Sequence, residues 1–297
     1  MISIFHITAA VVSCIILEQP LHTCIPYALT PNSAQESVIP LPKKTGPAID
    51  VALTAQAALV WDIETNTILY EKEANTKRPI ASLNKLLSTL AIRTLLPNSN
   101  NILIIPPEAK KAQAQGANIK LPIGQHASVR ELLGASLIPS ANDAMVTLAI
   151  GAKGSESAFA VYANDFAAKN GLFTTKVANA TGLEGGEQYS TAYDVKKMLS
   201  LAYADPHIRP FLSQQKGQLT TQEGVTRTFV STDELLGTYL QILAGKTGYT
   251  LAAKENLAII TVTPINKKIG AVILGSDNRF QDMKTVVEYV VRNYTWP

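Results

Sequence analysis

Apolar positions near both ends of the chain follow the pattern of β-strands. Two short apolar runs, 57–61 and 67–70, lie on either side of a polar turn sequence, and two more, 257–263 and 269–274, lie on either side of a second one. Runs of this length separated by turn residues are typical of antiparallel hairpins. The sequence therefore predicts one hairpin early in the chain and another one late.

Residues between these hairpins follow a helical pattern, with apolar side chains recurring every three or four positions. Two helix starts are marked by capping sequences, at Ser128–Glu131 and Thr191–Asp194. One helix end is marked by Pro139. The pattern predicts helices over about 81–96, 128–138, 143–151, 155–169, 191–204 and 283–291. The remaining segments are predicted as a short strand (102–105), a loop-rich part (107–127), and short strands and turns (217–244).

This order of elements predicts the fold class. Strands, then many helices, then strands and a final helix indicate an antiparallel sheet assembled from both ends of the chain, with a helical part inserted between them. The fold is therefore α/β, of the α+β type. The 297 residues suit one large domain or two small ones, and the 46% of hydrophobic residues are enough for a sizeable core.

The N-terminal part of the chain differs from the rest. Residues 2–17 are apolar but too few for a comfortable membrane span, and they suit the core of a signal peptide, with Ala28 as the best cleavage candidate. We expect a signal peptide or N-terminal membrane segment at 1–28, a proline-rich linker at 29–53, and a catalytic domain at 54–297. The chain is then exported, although a buried N-terminal segment of a cytosolic protein is an alternative, since no lysine or arginine precedes the apolar run.

Composition and charge exclude several function classes. The 26 basic and 23 acidic residues are well mixed and give a net charge of +3. The sequence contains no stripe of basic residues of the kind that binds nucleic acid, so we do not expect a nucleic-acid partner. The two cysteines, Cys14 and Cys24, and four scattered histidines form no ligand cluster, and we expect neither a metal nor a cofactor. With only His126 and His207 beyond the N-terminal segment, a serine nucleophile would depend on lysine rather than on a His–Asp pair.

One candidate for such a nucleophile lies at the start of the first predicted helix. Ser82 precedes Lys85 by three residues, nearly one helical turn, so the two side chains share a face. A lysine among apolar side chains loses hydration of its charged form, which lowers its pKa and allows it to take a proton from a hydroxyl. An ordinary helix N-terminus with a lysine reaching towards solvent is the alternative at this point.

Two further motifs follow in the order Ser82–Lys85, Ser140–Asn142 and Lys246–Gly248. Together they are the S-x-x-K, S-x-N and K-T-G set of penicillin-recognising enzymes. Each motif has a second copy in the wrong context, at Ser213–Lys216, Ser276–Asn278 and Lys44–Gly46. Only the chosen three occur in turn at a predicted helix start, an interhelical turn and a strand.

Residues around these motifs strengthen the match: Leu137–Ala144, Thr181–Leu183, Ser190–Asp194 and Lys246–Thr250. With them, about residues 54–295 resemble the D-alanyl-D-alanine carboxypeptidases, serine peptidases of bacterial cell-wall maturation among the low-molecular-mass penicillin-binding proteins. The resemblance implies a β-lactamase-like fold, with a five-stranded antiparallel sheet flanked by helices and a helical lobe beside it. The chain ends soon after this region, so any membrane attachment is expected through residues 2–17.

The resemblance and the chemistry together assign the catalytic residues. Ser82 Oγ attacks the carbonyl between two D-alanines, with Lys85 as general base. Ser140 relays a proton towards the leaving amine, and Asn142 hydrogen-bonds to Lys85 and the substrate amide. The backbone N–H groups of Ser82 and Tyr249 form the oxyanion hole.

The same resemblance implies a set of substrate-binding residues: Lys246, Thr247, Gly248, Tyr249 and Arg279. Lys246 and Thr247 are expected to bind the terminal carboxylate of the substrate, and the positive charge of Lys246 also lowers the pKa of Lys85. Arg279 is expected to help hold that carboxylate, and an ordinary surface arginine is the alternative.

The expected partners are peptidoglycan stem peptides, with β-lactam antibiotics as covalent inhibitors, and the expected location is the periplasm or the extracytoplasmic surface. A D,D-endopeptidase and a β-lactamase share the three motifs. The loop glutamate motif E-x-x-L-N of class A β-lactamases does not occur between residues 150 and 200. A non-catalytic cell-wall-binding protein is the alternative from another class, although all three motifs are intact.

Overall fold

The structure, a computed structural model, describes residues 39–47 and 51–297. The strands in these ranges are β1 (Lys43–Lys44), β2 (Ala57–Asp62), β3 (Ile68–Lys72), β4 (Ile102–Ile104), β5 (His126–Ser128), β6 (Lys216–Thr220), β7 (Thr226–Val230), β8 (Gln241–Thr250), β9 (Lys254–Val262), β10 (Lys268–Ser276) and β11 (Tyr294–Thr295). The α-helices are α1 (Asn84–Leu95), α2 (Glu108–Gln113), α3 (Val129–Leu137), α4 (Asn142–Lys153), α5 (Glu156–Lys169), α6 (Ala192–Ala204) and α7 (Arg279–Asn293).

A five-stranded sheet with the order β3-β2-β10-β9-β8 forms the centre of the fold. Every strand pair in it is antiparallel. Strand β2 from the early hairpin lies beside β10 from the late one, with Val60 opposite Ala271. The prediction of an antiparallel sheet assembled from both ends of the chain is confirmed, and so is the five-stranded sheet that the resemblance implies.

Helices cover both faces of this sheet, which explains why its central strands are apolar along their length. Neighbouring side chains of a strand point to opposite faces. In β2, Ala58 and Val60 join a cluster with Met283 of α7, whereas Leu59 and Trp61 join a larger cluster with the other helices. The sheet therefore lies between two apolar cores.

Strand β8 forms one edge of the sheet. Its inner side pairs with β9, and it also contacts the 3₁₀ turn Ala81–Leu83 that leads into α1. The fold thus brings the first predicted motif against the strand that carries the third.

All six predicted helices are present, with differences at their ends. Helix α7 begins earlier than predicted, at Arg279, because the Asn278 side chain caps it by accepting from Gln281 N. The predicted loop at 107–127 also contains the short helix α2 and the first residues of β5. A helix of six residues is too short to produce a clear apolar period.

The predicted linker and N-terminal segment are only partly within the described residues. Lys43 and Lys44 pair with Thr295 and Tyr294, and Thr45 N donates to Asn293 O. The predicted signal peptide or membrane segment at 1–28 lies outside the described residues. Within the described ranges, no helix combines the length and apolar character needed to cross a membrane.

Candidate active site

Ser82 lies in a tight turn at the entrance to α1. Ala81–Leu83 form a single 3₁₀ turn, and Ala81 has a φ of +47°, a backbone region that residues other than glycine seldom adopt. Ser82 is half-buried, whereas Lys85, one turn further on, is completely buried. The hydroxyl therefore remains accessible while the amine beside it is shielded from water.

Lys85 Nζ has three oxygen neighbours. It lies 2.8 Å from Ser82 Oγ, 2.7 Å from Asn142 Oδ1 and 3.1 Å from the carbonyl oxygen of Thr181. The amide and carbonyl oxygens can only accept, so Lys85 donates to both. A neutral amine has two N–H groups and one lone pair, and the lone pair then remains for the Ser82 hydroxyl. This arrangement orients Lys85 to take the proton of Ser82.

The electrostatic surroundings favour the neutral form of Lys85. Complete burial lowers its pKa well below the ordinary value for lysine, and the positive charge of Lys246 lowers the pKa further. The carboxylate of Asp143 acts in the opposite direction and is the smaller influence. The Lys85 amine is therefore more readily available as a base than an ordinary lysine.

The second motif connects α3 to α4. Ser140 has a φ of +64°, so the backbone turns sharply between the two helices. Asn142 is held from both ends of its amide, because Nδ2 donates to Gln115 O at 2.5 Å while Oδ1 accepts from Lys85. The contact with Gln115 therefore fixes which end of the Asn142 amide faces the base.

Lys246 in β8 joins the third motif to the second. It is buried, and its Nζ donates to Ser140 Oγ at 2.8 Å and to the carbonyl oxygen of Thr247 at 3.1 Å. Burial and the positive charge of Arg279 lower the pKa of Lys246 to about 7, while Asp233 raises it. Lys246 is thus a cation that can lose its proton near neutral pH.

Strand β8 also passes close to the backbone of the nucleophile. A Cβ added to Gly248 would lie 3.1 Å from Ser82 N and 2.8 Å from Ile80 O, so the strand needs a glycine at this position. Tyr249 follows directly, and this residue is 57% exposed. Its expected contribution through the backbone N–H is compatible with this placement.

Arg279 is the first residue of α7, and it lies against β8. Its Nη1 donates to Gly248 O at 3.2 Å, and its backbone N donates to Glu255 Oε2 at 2.9 Å. The side chain is half-buried rather than an open surface arginine. The structure therefore places Arg279 beside the strand whose residues are expected to bind the substrate.

Two contributors were not predicted as site residues. The Thr181 carbonyl accepts from Lys85, and Gly182, with a φ of +81°, packs so closely that an added Cβ would lie 2.0 Å from Ala81 O. The sequence analysis names the Thr181–Leu183 segment as part of the resemblance, but it assigns no function to these residues. A backbone carbonyl has no signature in the side-chain sequence, so its function could not be read there.

The second motif copies have other surroundings. Lys44 lies in β1, paired with β11, and Ser276 donates to Asp282 Oδ2 at 2.6 Å. Lys216 begins β6 and is exposed. Only the three chosen segments are joined by the lysine hydrogen bonds described above.

The arrangement as a whole suits acyl transfer. It combines an accessible hydroxyl, a buried amine base 2.8 Å away, and buried positive charge on the neighbouring strand. Among residues 39–47 and 51–297, no group of three or more His, Cys, Asp and Glu side chains could hold a metal ion.

Sequence comparisons point to one family. Residues 43–278 match the family of D-alanyl-D-alanine carboxypeptidases. A D-alanyl-D-alanine carboxypeptidase of Bacillus subtilis is 29% identical over 229 residues, which make up 76% of this chain and 59% of that protein. One from Mycobacterium tuberculosis is 31% identical over 204 residues, 68% of each chain. A D-alanyl-D-alanine endopeptidase of Escherichia coli is 27% identical over 232 residues, 77% of this chain and 73% of that protein.

Solved structures show the same fold. The crystal structure of a D-alanyl-D-alanine carboxypeptidase from Mycobacterium tuberculosis matches with a TM-score of 0.74 at 25% identity, over 83% of this chain and 95% of that one. A Streptomyces DD-transpeptidase matches with a TM-score of 0.74 at 24% identity, over 84% of this chain and 99% of that one. Since the family match covers most of its length, the chain belongs to the D-alanyl-D-alanine carboxypeptidase family of serine peptidases.

Proposed function

We propose that this protein is a serine D,D-carboxypeptidase that removes the terminal D-alanine from peptidoglycan stem peptides through an acyl-enzyme at Ser82. One observation carries the proposal: Lys85 Nζ lies 2.8 Å from Ser82 Oγ, with its other two oxygen neighbours able only to accept. Family membership supplies the substrate class.

Acylation follows from this geometry. As Ser82 Oγ bonds to the carbonyl carbon between the two D-alanines, its proton passes to Lys85 Nζ. A positioned general base of this kind contributes about 10²–10⁴ in rate. The backbone N–H groups of Ser82 and Tyr249 receive the developing oxyanion, and each such donor is worth about 10²–10³.

The leaving group is released on the Ser140 side of the site. Lys85 then gives this proton to the leaving amine of the terminal D-alanine, with the Ser140 hydroxyl as relay. The C–N bond breaks at the same time, and D-alanine departs. Water then attacks the ester carbon and gives a proton to Lys85, and the C–O bond to Ser82 breaks as Oγ regains a proton. The enzyme returns to its starting state without a cofactor.

The terminal carboxylate is expected at the positive charge of β8. Lys246 and Arg279 are the cations there, and Thr247, the next residue of β8, supplies a hydroxyl. An anion at this place raises the pKa of Lys246 again, because the opposite charge favours the protonated form. Binding of the carboxylate and protonation of Lys246 therefore support each other.

The rest of the stem peptide needs a place on the other side of the scissile carbonyl. A recess of about 150 Å³ lies beside the turn that carries Ser82, and its walls include Ala81, Gly182 and Thr250. This recess suits the part of the substrate that remains bound as the acyl-enzyme.

A D,D-endopeptidase that cleaves crosslinks is a second candidate. It is favoured by the relatives from Escherichia coli and Pseudomonas aeruginosa, which are both named D-alanyl-D-alanine endopeptidases and are both 27% identical to this chain. The chemistry at Ser82 is the same in both reactions, and only the leaving group differs.

We also propose that the protein acts outside the cytoplasm and that β-lactams acylate Ser82. The peptidoglycan substrate and the apolar segment 2–17 support export, and the same segment is the proposed means of membrane attachment. A β-lactam presents a reactive carbonyl with a carboxylate nearby, which the site would engage as it does the substrate.

The proposal is tested by product analysis on a stem pentapeptide ending in D-Ala-D-Ala and on a purified crosslinked dimer, with a pentapeptide ending in L-Ala-L-Ala as control. Loss of one alanine from the D,D-pentapeptide alone supports the carboxypeptidase. Cleavage of the dimer favours the endopeptidase. If neither D,D-substrate is cleaved, or if the Ser82→Ala variant cleaves as well as the wild type, the proposal fails.

A further inference from the structure

Three side chains of helix α1 hold the loop between α5 and α6 by donating to three consecutive carbonyl oxygens. One of the three is Lys85, the proposed base, so the position of this loop affects how the base is hydrogen-bonded. The contacts are Asn84 Nδ2 to Asn179 O at 2.9 Å, Ser88 Oγ to Ala180 O at 2.8 Å and Lys85 Nζ to Thr181 O at 3.1 Å.

The side chain of Asn179 determines how the loop continues from there. Its Oδ1 accepts from Thr181 N at 3.1 Å, from Thr181 Oγ1 at 3.0 Å and from Gly182 N at 2.8 Å. Its Nδ2 donates to Leu183 O at 2.8 Å. An asparagine that accepts from backbone N–H groups two and three residues ahead takes the place of a backbone carbonyl in a turn. Asn179 is half-buried, and the mechanism above does not use it.

The peptide group between Thr181 and Gly182 is held on both of its sides. Its N–H donates to Asn179 Oδ1 at 2.8 Å, and its C=O accepts from Lys85 Nζ at 3.1 Å. This peptide bond is trans, and a trans peptide group is planar with its N–H and C=O pointing in opposite directions. A contact that fixes the N–H therefore also fixes the direction of the carbonyl that faces Lys85.

That carbonyl is one of the two acceptors that orient Lys85. The other is Asn142 Oδ1 at 2.7 Å, and its amide is held in turn by Gln115 O. With both N–H groups of the neutral amine directed at these acceptors, the lone pair is left for Ser82 Oγ. If the Thr181 carbonyl turned away, the amine would be free to rotate and its lone pair would lose this alignment.

We propose that Asn179 is a positioning residue for acylation, which directs the lone pair of Lys85 towards the Ser82 hydroxyl through the Thr181–Gly182 peptide group. The inference rests on the proposed function, because it assumes that Lys85 takes the proton of Ser82. The role of Asn179 is indirect and requires no contact with the substrate.

Removing the Asn179 side chain should slow the chemical step and leave substrate recognition unchanged. In Asn179→Ala the Thr181–Gly182 peptide group is released on its N–H side. A misplacement of about 1 Å at a reacting group can cost about 10² in rate, so we expect the acylation rate constant at saturating β-lactam to fall about 10- to 100-fold. The β-lactam concentration that gives half of the maximal rate should stay nearly the same, because the residues expected to bind the carboxylate lie on β8 and α7.

The experiment measures acylation by benzylpenicillin in a stopped-flow instrument, together with melting temperatures, for wild type, Asn179→Ala and Asn179→Asp. Aspartate retains an Oδ1 that can accept from Thr181 and Gly182, so it should recover most of the rate. Its negative charge favours the protonated form of a nearby lysine, so each protein is compared at the pH of its own maximal rate. Asn179→Ser replaces the alanine variant if alanine prevents folding, since a serine hydroxyl makes such turns more weakly.

Asn164→Ala is the matched control. Asn164 is also half-buried and holds the same loop, because its Nδ2 donates to Val177 O at 2.8 Å and its Oδ1 accepts from Val177 N at 3.0 Å. These contacts are made two residues before Asn179 and on the other side of it from the Thr181–Gly182 peptide group. Asn164→Ala should therefore lower the melting temperature, as Asn179→Ala does, with an unchanged acylation rate constant.

The expected result is slow acylation by folded Asn179→Ala, recovery in Asn179→Asp and the wild-type rate constant in Asn164→Ala. A wild-type rate constant in folded Asn179→Ala or Asn179→Ser would overturn the inference. Equal losses in Asn179→Ala and Asn164→Ala would also overturn it, because they would indicate a general effect of loop stability, and so would a lack of recovery in Asn179→Asp at every pH. A wild type that forms no acyl-enzyme contradicts the proposed function instead, so the two failures are distinguishable.

Discussion

Replacing Gly182 with alanine should displace the turn that carries the nucleophile. Gly182 has a φ of +81°, where an L-residue costs about 1–2 kcal/mol, and its new Cβ would lie 2.0 Å from Ala81 O. Cβ contacts below about 3 Å are not tolerated, so the two backbones must separate by about 1 Å. A misplacement of about 1 Å at a reacting group can cost about 10² in rate.

This change should affect the positions of both Ser82 and Lys85. Ala81 precedes Ser82, and Thr181, which precedes Gly182, holds Lys85 through its carbonyl. We therefore expect Gly182→Ala to remain folded, with a loss of about 1–3 kcal/mol of stability, while its acylation rate with a β-lactam falls about 10²-fold.

Gly154→Ala is the matched control. Gly154 has a similar φ of +78°, but an added Cβ would meet no atom within 4 Å. It should therefore show the backbone strain alone, with a lower melting temperature and an unchanged acylation rate. If folded Gly182→Ala is acylated at the wild-type rate, or if both variants lose acylation equally, the close approach of the two backbones does not position Ser82.

Three further changes test the base and its orientation. Lys85→Arg should abolish acylation, because a guanidinium keeps its proton at any accessible pH; near-normal turnover of this variant would remove Lys85 as the base. Asn142→Ala removes one of the two fixed acceptors of Lys85, and the loss of a hydrogen bond to a buried group, about 1–3 kcal/mol, should slow acylation about 5- to 150-fold; stopped-flow rates within about twofold of wild type would contradict this. Acidification should slow acylation by folded enzyme, since protonation of Lys85 removes the lone pair that faces Ser82; an acylation rate that is independent of pH on the acid side would contradict this prediction.

The sequence predicted the fold where the apolar pattern is long and regular. Local sequence signals agree with the final packing in the early and late hairpins, so both could be predicted. The same is true of the helices with clear caps, such as α3 after Ser128 and α6 after Thr191. Helix α2 was missed because its six residues do not complete two turns.

The candidate site could be predicted only as far as it consists of side chains in short motifs. Spacing alone predicts that Ser82 and Lys85 share a face, and the resemblance assigns Ser140 and Lys246 to one site, where their side chains lie 2.8 Å apart. The contribution of the Thr181 carbonyl depends on a tertiary contact with Lys85, which is far away in the sequence, and a single chain carries no local signal for such a contact.

The most direct test of the central claim is intact mass spectrometry after incubation with benzylpenicillin, comparing wild type with Ser82→Ala. We predict one stable adduct of the drug's mass on the wild type and none on the variant, with equal melting temperatures for both proteins. An adduct on folded Ser82→Ala would contradict Ser82 as the nucleophile. Rapid hydrolysis of the drug without a lasting adduct would indicate a β-lactamase instead.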